Sequence, residues 1–133
     1  MRVVLDTNIF ISGIHWTGHS GKLIDAWLDD RFELISSEEI LQELARTLLT
    51  FKRPLPEEDI MNWISLIAAK AFIVAPTIDF EAVKTDPDDN KFVNAAVEGN
   101  AEYIVSQDTD LLNIKEFRGM KILSPQDFLT IFC

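Results

Sequence analysis

The residues best equipped for chemistry in this chain are carboxylates, and several fall where they can meet. Asp6 stands one residue beyond the strand-like run Val3-Val4-Leu5, and Asp108 stands two beyond the run Tyr103 to Ser106. Both should emerge at C-terminal strand ends, the edge where open parallel sheets bind ligands near the point of strand-order reversal. Asp89 lies in the first turn of a helix whose Phe92 and Val93 face the core, so its carboxylate can project into the same crevice. Glu43 sits at the border of an apolar helical stripe, beside Ile40 and Thr47, and can reach inward. Asp88 and Asp110 are further candidates for that neighbourhood.

Four converging carboxylates repel one another, and without a counter-charge at least one must take up a proton. A divalent cation removes the conflict. Oxygen ligands with neither Cys nor His among them suit Mg²⁺ or Mn²⁺. Such an ion lowers the pKa of a bound water, orients it in line with a phosphodiester and stabilises charge on the phosphoryl oxygens. Taken singly, each acid has a plainer reading: Asp6 as a turn or cap residue, Asp88 and Asp89 as first-turn acids complementing the helix dipole, Glu43 as a solvated surface group. The set carries the metal reading, not any one member.

The elements that must position these acids alternate between strand and helix. Strand-like runs lie at Val3 to Leu5, Phe32 to Ile35, Phe72 to Val74, Tyr103 to Ser106 and Lys121 to Leu123. Between them, Leu23, Ile24, Trp27 and Leu28 share one helical face. Ser37 can cap a helix buried through Ile40, Leu41, Leu44, Leu48 and Leu49. Pro54 and Pro56 separate that helix from one carrying Ile60, Trp63, Ile64 and Ile67. Asp86-Pro87 reads as an N-cap and first helical residue, Gly99 as the stop, and Ser124-Pro125 as the start of a last short helix. Strands joined by helices rather than tight turns predict an α/β fold, a mainly parallel five-stranded sheet covered on both faces.

Composition bounds the rest. With 133 residues, 47% of them apolar, the chain reads as one domain over 1–133 able to bury a core without disulfides. The single Cys133 staples nothing inside the chain, and a reducing cytoplasm is the expected setting. No apolar run is long enough for a membrane span, and the N-terminus does not read as a signal peptide. Twenty-two acids against twelve bases give a net charge of −10, which argues against a nucleic-acid partner except where bound metal reverses the local field. Phosphate contacts would fall to Arg46 and Lys91, or to clusters around Lys52 and Lys115 to Lys121, all of which ordinary surface bases resemble. His15, Trp16 and His19 read as a surface loop.

The ordered motifs resemble those of PIN domains. Residues 3–12, Val-Val-Leu-Asp-Thr-Asn-Ile-Phe-Ile-Ser, resemble the family's first strand, and Leu41-Gln42-Glu43-Leu44 looks like its helix-borne Glu. Asp86-Pro87-Asp88-Asp89-Asn90-Lys91-Phe92-Val93 is similar to the third acidic motif, and Ile104 to Leu112 to the fourth. The likeness is greatest to bacterial and archaeal members described as toxins of toxin–antitoxin systems. It implies a three-layer α/β/α sandwich and a Mg²⁺- or Mn²⁺-dependent endoribonuclease that leaves a 5′-phosphate and a 3′-hydroxyl. The four acids carried over are Asp6, Glu43, Asp89 and Asp108, with Asp110 as an extra ligand. Asn8, Ser106 and Asp88 would support them from behind. A cognate antitoxin and a homodimer are likewise implied. Two other readings stay open: a silent adaptor of the same fold, and a phosphotransfer protein using Asp6, which the Asn at position 8 disfavours.

Overall fold

The computed structural model describes residues 1–15, 18–53 and 55–132. Trp16, Thr17, Pro54, Cys133 and the side chain of Phe132 lie outside the described residues. The element order is β1 (Arg2–Leu5), α1 (Thr7–His15), α2 (His19–Leu28), β2 (Glu33–Ser37), α3 (Glu38–Thr50), α4 (Glu57–Lys70) and β3 (Phe72–Val74). A coil then leads to a 3₁₀ turn at Pro87–Asp89, followed by α5 (Asn90–Glu98), β4 (Tyr103–Val105), α6 (Thr109–Leu112), β5 (Glu116–Phe117), β6 (Met120–Leu123) and α7 (Pro125–Phe132).

The strands form one sheet in the order β3-β2-β1-β4-β6-β5, all parallel except β5. The sheet therefore has six strands, not the five expected. The additional strand is only two residues long and returns on β6 through Arg118-Gly119, both at positive φ (53° and 83°), the geometry of a tight two-residue hairpin turn. Along each strand the period-two alternation sends side chains to opposite faces. Val3, Leu5, Leu34 and Val105 join Trp27, Leu44, Leu48, Ile67 and Phe128 in one core. Val4, Ile35, Ile104 and Ile122 join Phe92, Val93 and Ala96 in the other. Helices thus cover both faces, giving the α/β/α layering.

Local chemistry sets most boundaries as read. The Ser37 hydroxyl accepts the Ile40 amide at 3.3 Å and starts α3, with Glu38 and Glu39 in the first turn. Leu49, however, projects into solvent rather than joining the buried stripe. The residues after Asp6, grouped with the first strand in the resemblance, are helix: Ile9, Phe10 and Ile11 are buried in α1, which ends at His15, and His19, read as loop, begins α2. Both His15 ring nitrogens lie within 2.9 Å of backbone carbonyls, those of Ile11 and Arg53. The ring therefore ties α1 to the end of the α3 region. No helix among the described residues is long and apolar enough to cross a membrane.

Gly13 decides how closely α1 and α2 can pack, and hence where α1 starts beside Asp6. A Cβ there would stand 2.5 Å from Ile24 Cγ1 and 2.9 Å from the Ser20 carbonyl oxygen. Gly13→Ala should therefore destabilise the chain even though alanine favours helix by ~1 kcal/mol. Overpacking of ~1–3 kcal/mol outweighs that gain. The expected result is a lower urea midpoint with an unchanged slope; a raised midpoint would show that the two helices part freely.

Candidate metal centre

Strands β1 and β4 are neighbours, with Leu5 opposite Val105, and strand order reverses between them. The residues that leave these strands emerge side by side. The Asp6 amide donates to the Val105 carbonyl at 3.0 Å, and Asp6 Oδ1 accepts the Asn8 amide at 3.0 Å. Fully buried Ser106 links the two exits, its hydroxyl donating to Asp6 Oδ2 and accepting the Asp108 amide at 2.9 Å. Asp108 Oδ1 in turn accepts the Asp110 amide at 2.9 Å, capping α6. One hydroxyl thus fixes the side chain of one acid and the backbone of the next.

The acids between β3 and α5 are placed by a different device. The coil before the 3₁₀ turn carries no strand or helix, yet α5 holds it along one face. Asn90 Oδ1 accepts the Val83 amide at 2.7 Å, Asn94 Oδ1 accepts the Phe80 amide at 2.8 Å, and Glu98 Oε1 accepts from Thr77 at 3.0 Å. These three side chains recur every four residues, one above another on a helix face. The coil so held ends at Asp86. In a 3₁₀ turn residues i and i+3 eclipse, which brings Asp86 and Asp89 to the same side and swings Asp88 outward.

One carboxylate oxygen each from Asp86, Asp89, Asp108 and Asp110 comes together, all four within 4.8 Å of one another. Oxygens on opposite sides of a Mg²⁺ ion with ~2.1 Å bonds stand about 4.2 Å apart, so shifts of a few tenths of an ångström would close the set. Asp89 is 8% exposed, and its Oδ2 is buried with no hydrogen-bond partner. Such an atom is costly unless something binds it. An all-oxygen set containing an unmet buried carboxylate oxygen fits a hard divalent cation. Thr85 steadies the rim, its hydroxyl donating to Asp110 Oδ1 at 2.9 Å.

Glu43 falls outside that foursome. Its Oε2 accepts from the Thr7 hydroxyl, and its Oε1 accepts from Lys91 Nζ at 2.9 Å. Lys91 also pairs with Asp88 Oδ1 at 3.2 Å, and its side chain is 3% exposed. Lys91 is therefore an internal counter-ion rather than an exposed base awaiting a phosphate. Arg46 stands exposed three residues along α3 from Glu43.

The electrostatics follow from this crowding. Burial raises the Asp6 carboxyl above its ordinary value; the Ser106 and Asn8 hydrogen bonds oppose that, and the charges of Asp108 and Glu43 add to it. Burial likewise raises Asp89, aided by the adjacent carboxyl of Asp108 and by the charges of Asp108, Asp86 and Asp6, to about 8. Burial disfavours the Lys91 charge, but the bonds from Glu43 and Asp88 outweigh it and the net shift is upward.

The structure thus brings Asp6, Asp89, Asp108 and Asp110 to one edge. It places Asp88 on Lys91, holds Glu43 beside the group, and gives Asn8 its part through the backbone amide. Asp86 is the acid that sequence reasoning missed, having been read as a helix cap. Its side chain caps nothing; the turn is closed by its carbonyl, which accepts the Asp89 amide at 3.0 Å. The available signal was the i, i+3 spacing of the two acids flanking Pro87-Asp88.

Two acids with raised folded-state pKa values hold protons that the unfolded chain releases at lower pH. Stability therefore falls as pH rises from about 4 towards about 8. Without metal, the melting temperature should drop between pH 5 and pH 8, and Asp89→Asn should flatten that drop. Excess Mn²⁺ should restore stability at pH 8, because only the ionised carboxylates bind it. A metal-free melting temperature constant across this range would contradict the arrangement.

Comparison with known proteins agrees with this architecture. An uncharacterized protein of Methanocaldococcus jannaschii is 29% identical over 99% of this chain and 92% of its own length. Among solved structures, VapBC-1 from nontypeable Haemophilus influenzae superposes with a TM-score of 0.65 at 15% identity, covering 95% of this chain and 99% of that one. FitAcB from Neisseria gonorrhoeae does so with a TM-score of 0.60 at 13% identity, covering 93% and 98%. The family model for the PIN domain matches residues 2–110, a span containing every acid of the site, and the chain accordingly belongs to the PIN domain family.

Proposed function

We propose that this protein is a metal-dependent endoribonuclease, a single PIN domain over residues 1–133 acting as the toxin of a toxin–antitoxin pair in the cytoplasm. The observation that carries the reading is the four-carboxylate set with the buried, unpartnered Asp89 oxygen at the strand-order reversal. Asp86, Asp89, Asp108 and Asp110 would hold the ion, Mg²⁺ or Mn²⁺, with Asp6 alongside. A bound ion of this kind supplies an activated water and stabilises charge on the phosphoryl oxygens. The chain's part is to hold the acids in place before substrate arrives. Ser106 fixes Asp6 against Asp108, and the asparagines of α5 fix the approach to Asp86 and Asp89.

RNA as substrate, an antitoxin partner and a homodimer rest on the family resemblance, with the likeness to the VapBC-1 and FitAcB structures beside it. Arg46, exposed along α3 three residues from Glu43, would on this reading meet a phosphate near the site. The second reading, an adaptor without turnover, draws on the net charge of −10, which weakens attraction for a polyanion.

Purified protein should cleave single-stranded or structured RNA with Mg²⁺ or Mn²⁺, leaving 5′-phosphate ends, and EDTA should abolish the cleavage. Asp108→Asn and Asp89→Asn should each reduce the rate at least about a hundredfold, equivalent to ~3 kcal/mol of transition-state stabilisation. Protein that binds Mn²⁺ and RNA yet cleaves nothing would establish the adaptor instead.

A further inference from the structure

We propose that Lys91 is a built-in second cation: its ammonium occupies the place a second divalent ion would take, so that the centre holds one metal ion on its Asp86, Asp89, Asp108 and Asp110 side. The inference rests on the metal reading above and adds its stoichiometry and the role of two residues.

Two halves of the acid group differ in what they lack. On one side, four carboxylate oxygens lie within 4.8 Å and a buried Asp89 oxygen has no partner. That half has a demand for positive charge that no ion pair among the described residues meets. On the other, Glu43 already has both oxygens engaged, one by the Thr7 hydroxyl and one by Lys91 Nζ at 2.9 Å. Asp88 takes a second side of the same ammonium at 3.2 Å. The demand there is met.

Lys91 is also fixed in that position. Its side chain is 3% exposed, and its ammonium is clamped between the Glu43 and Asp88 carboxylates at 2.9 and 3.2 Å. A dication entering next to it would face a fixed positive charge at close range in a site of reduced dielectric, while two of the acids it would meet, Glu43 and Asp88, are already paired with the ammonium. The lysine's three donors and single charge match Glu43 and Asp88 without the dehydration that a small divalent ion resists. Glu43 is on this view a positioning residue: it anchors the lysine and, through Thr7, the first turn of α1 next to Asp6.

Titration of the full chain with Mn²⁺, following the free-ion electron paramagnetic resonance signal, tests this directly. The wild type should bind one equivalent, lost in Asp89→Asn and kept in Glu43→Gln. Lys91→Gln should bind two, Lys91→Arg one, and the double variant Lys91→Gln/Glu43→Gln should return to one. Two equivalents in the wild type, loss of binding in Glu43→Gln, or one equivalent in a Lys91→Gln protein with native circular dichroism would each overturn the proposal while leaving the metal reading intact. Should Lys91→Gln fail to fold, the wild-type and Glu43→Gln stoichiometries decide alone. A wild type that binds no Mn²⁺ would remove the metal reading itself and this inference with it.

Discussion

Mutual repulsion among carboxylates is the constraint around which this molecule is arranged. Parallel strands β1 and β4 lie next to each other where strand order reverses, so the chain's exits from them cannot be separated. Both exits carry an Asp. The coil returning from β3 brings Asp86 and Asp89 to the same edge, and α3 brings Glu43. Nothing in the packing of the two cores requires this concentration of charge. The raised pKa values of Asp6 and Asp89 record burial first and this crowding second, and such shifts cluster at functional sites.

The scaffold restrains the acids with groups of three kinds, each suited to a different distance from the centre. Nearest are the Asn8 and Asp110 amides and the Ser106 hydroxyl, neutral donors that orient carboxylates without cancelling their charge. Farther out, Asn90, Asn94 and Glu98 satisfy the backbone of a coil that would otherwise leave its own polar groups unpaired between β3 and the 3₁₀ turn. Among the described residues, Lys91 is the restraining group that supplies positive charge, and it does so on the Glu43 side. This division matters because a cation among the four clustered acids would compete with metal, whereas uncharged donors leave the negative potential intact.

Much of this was legible in the sequence because it follows from local rules. The exits at Asp6 and Asp108, the Ser37 cap and the Gly99 stop each depend on neighbours within four residues. Three features were not legible. Helix α1 is hidden by Ile9, Phe10 and Ile11, residues whose branched and aromatic side chains favour strands; burial between the sheet, α2 and α3 overrides that preference. The place of Asp86 depends on a 3₁₀ rather than an α turn and on a coil held from another helix, which no periodicity shows. Strand β5 escaped for a third reason. A two-residue strand has no pattern, and Arg-Gly is a weaker hairpin signal than Asn-Gly.

The same charge arrangement bears on how a chain of net charge −10 could receive a polyanion. Long-range attraction is missing, so association cannot be led by the whole-molecule field in the way of basic nucleic-acid binders. Recognition on the proposed reading must begin at short range, where a dication held by four acids presents positive charge to one phosphate. Screening by salt reduces the repulsion between like-charged molecules at distance while barely touching contacts made inside the site. Moderate ionic strength therefore opposes this encounter less than it opposes binding by a basic protein. A basic partner has the reverse experience, because a net charge of −10 attracts it at long range.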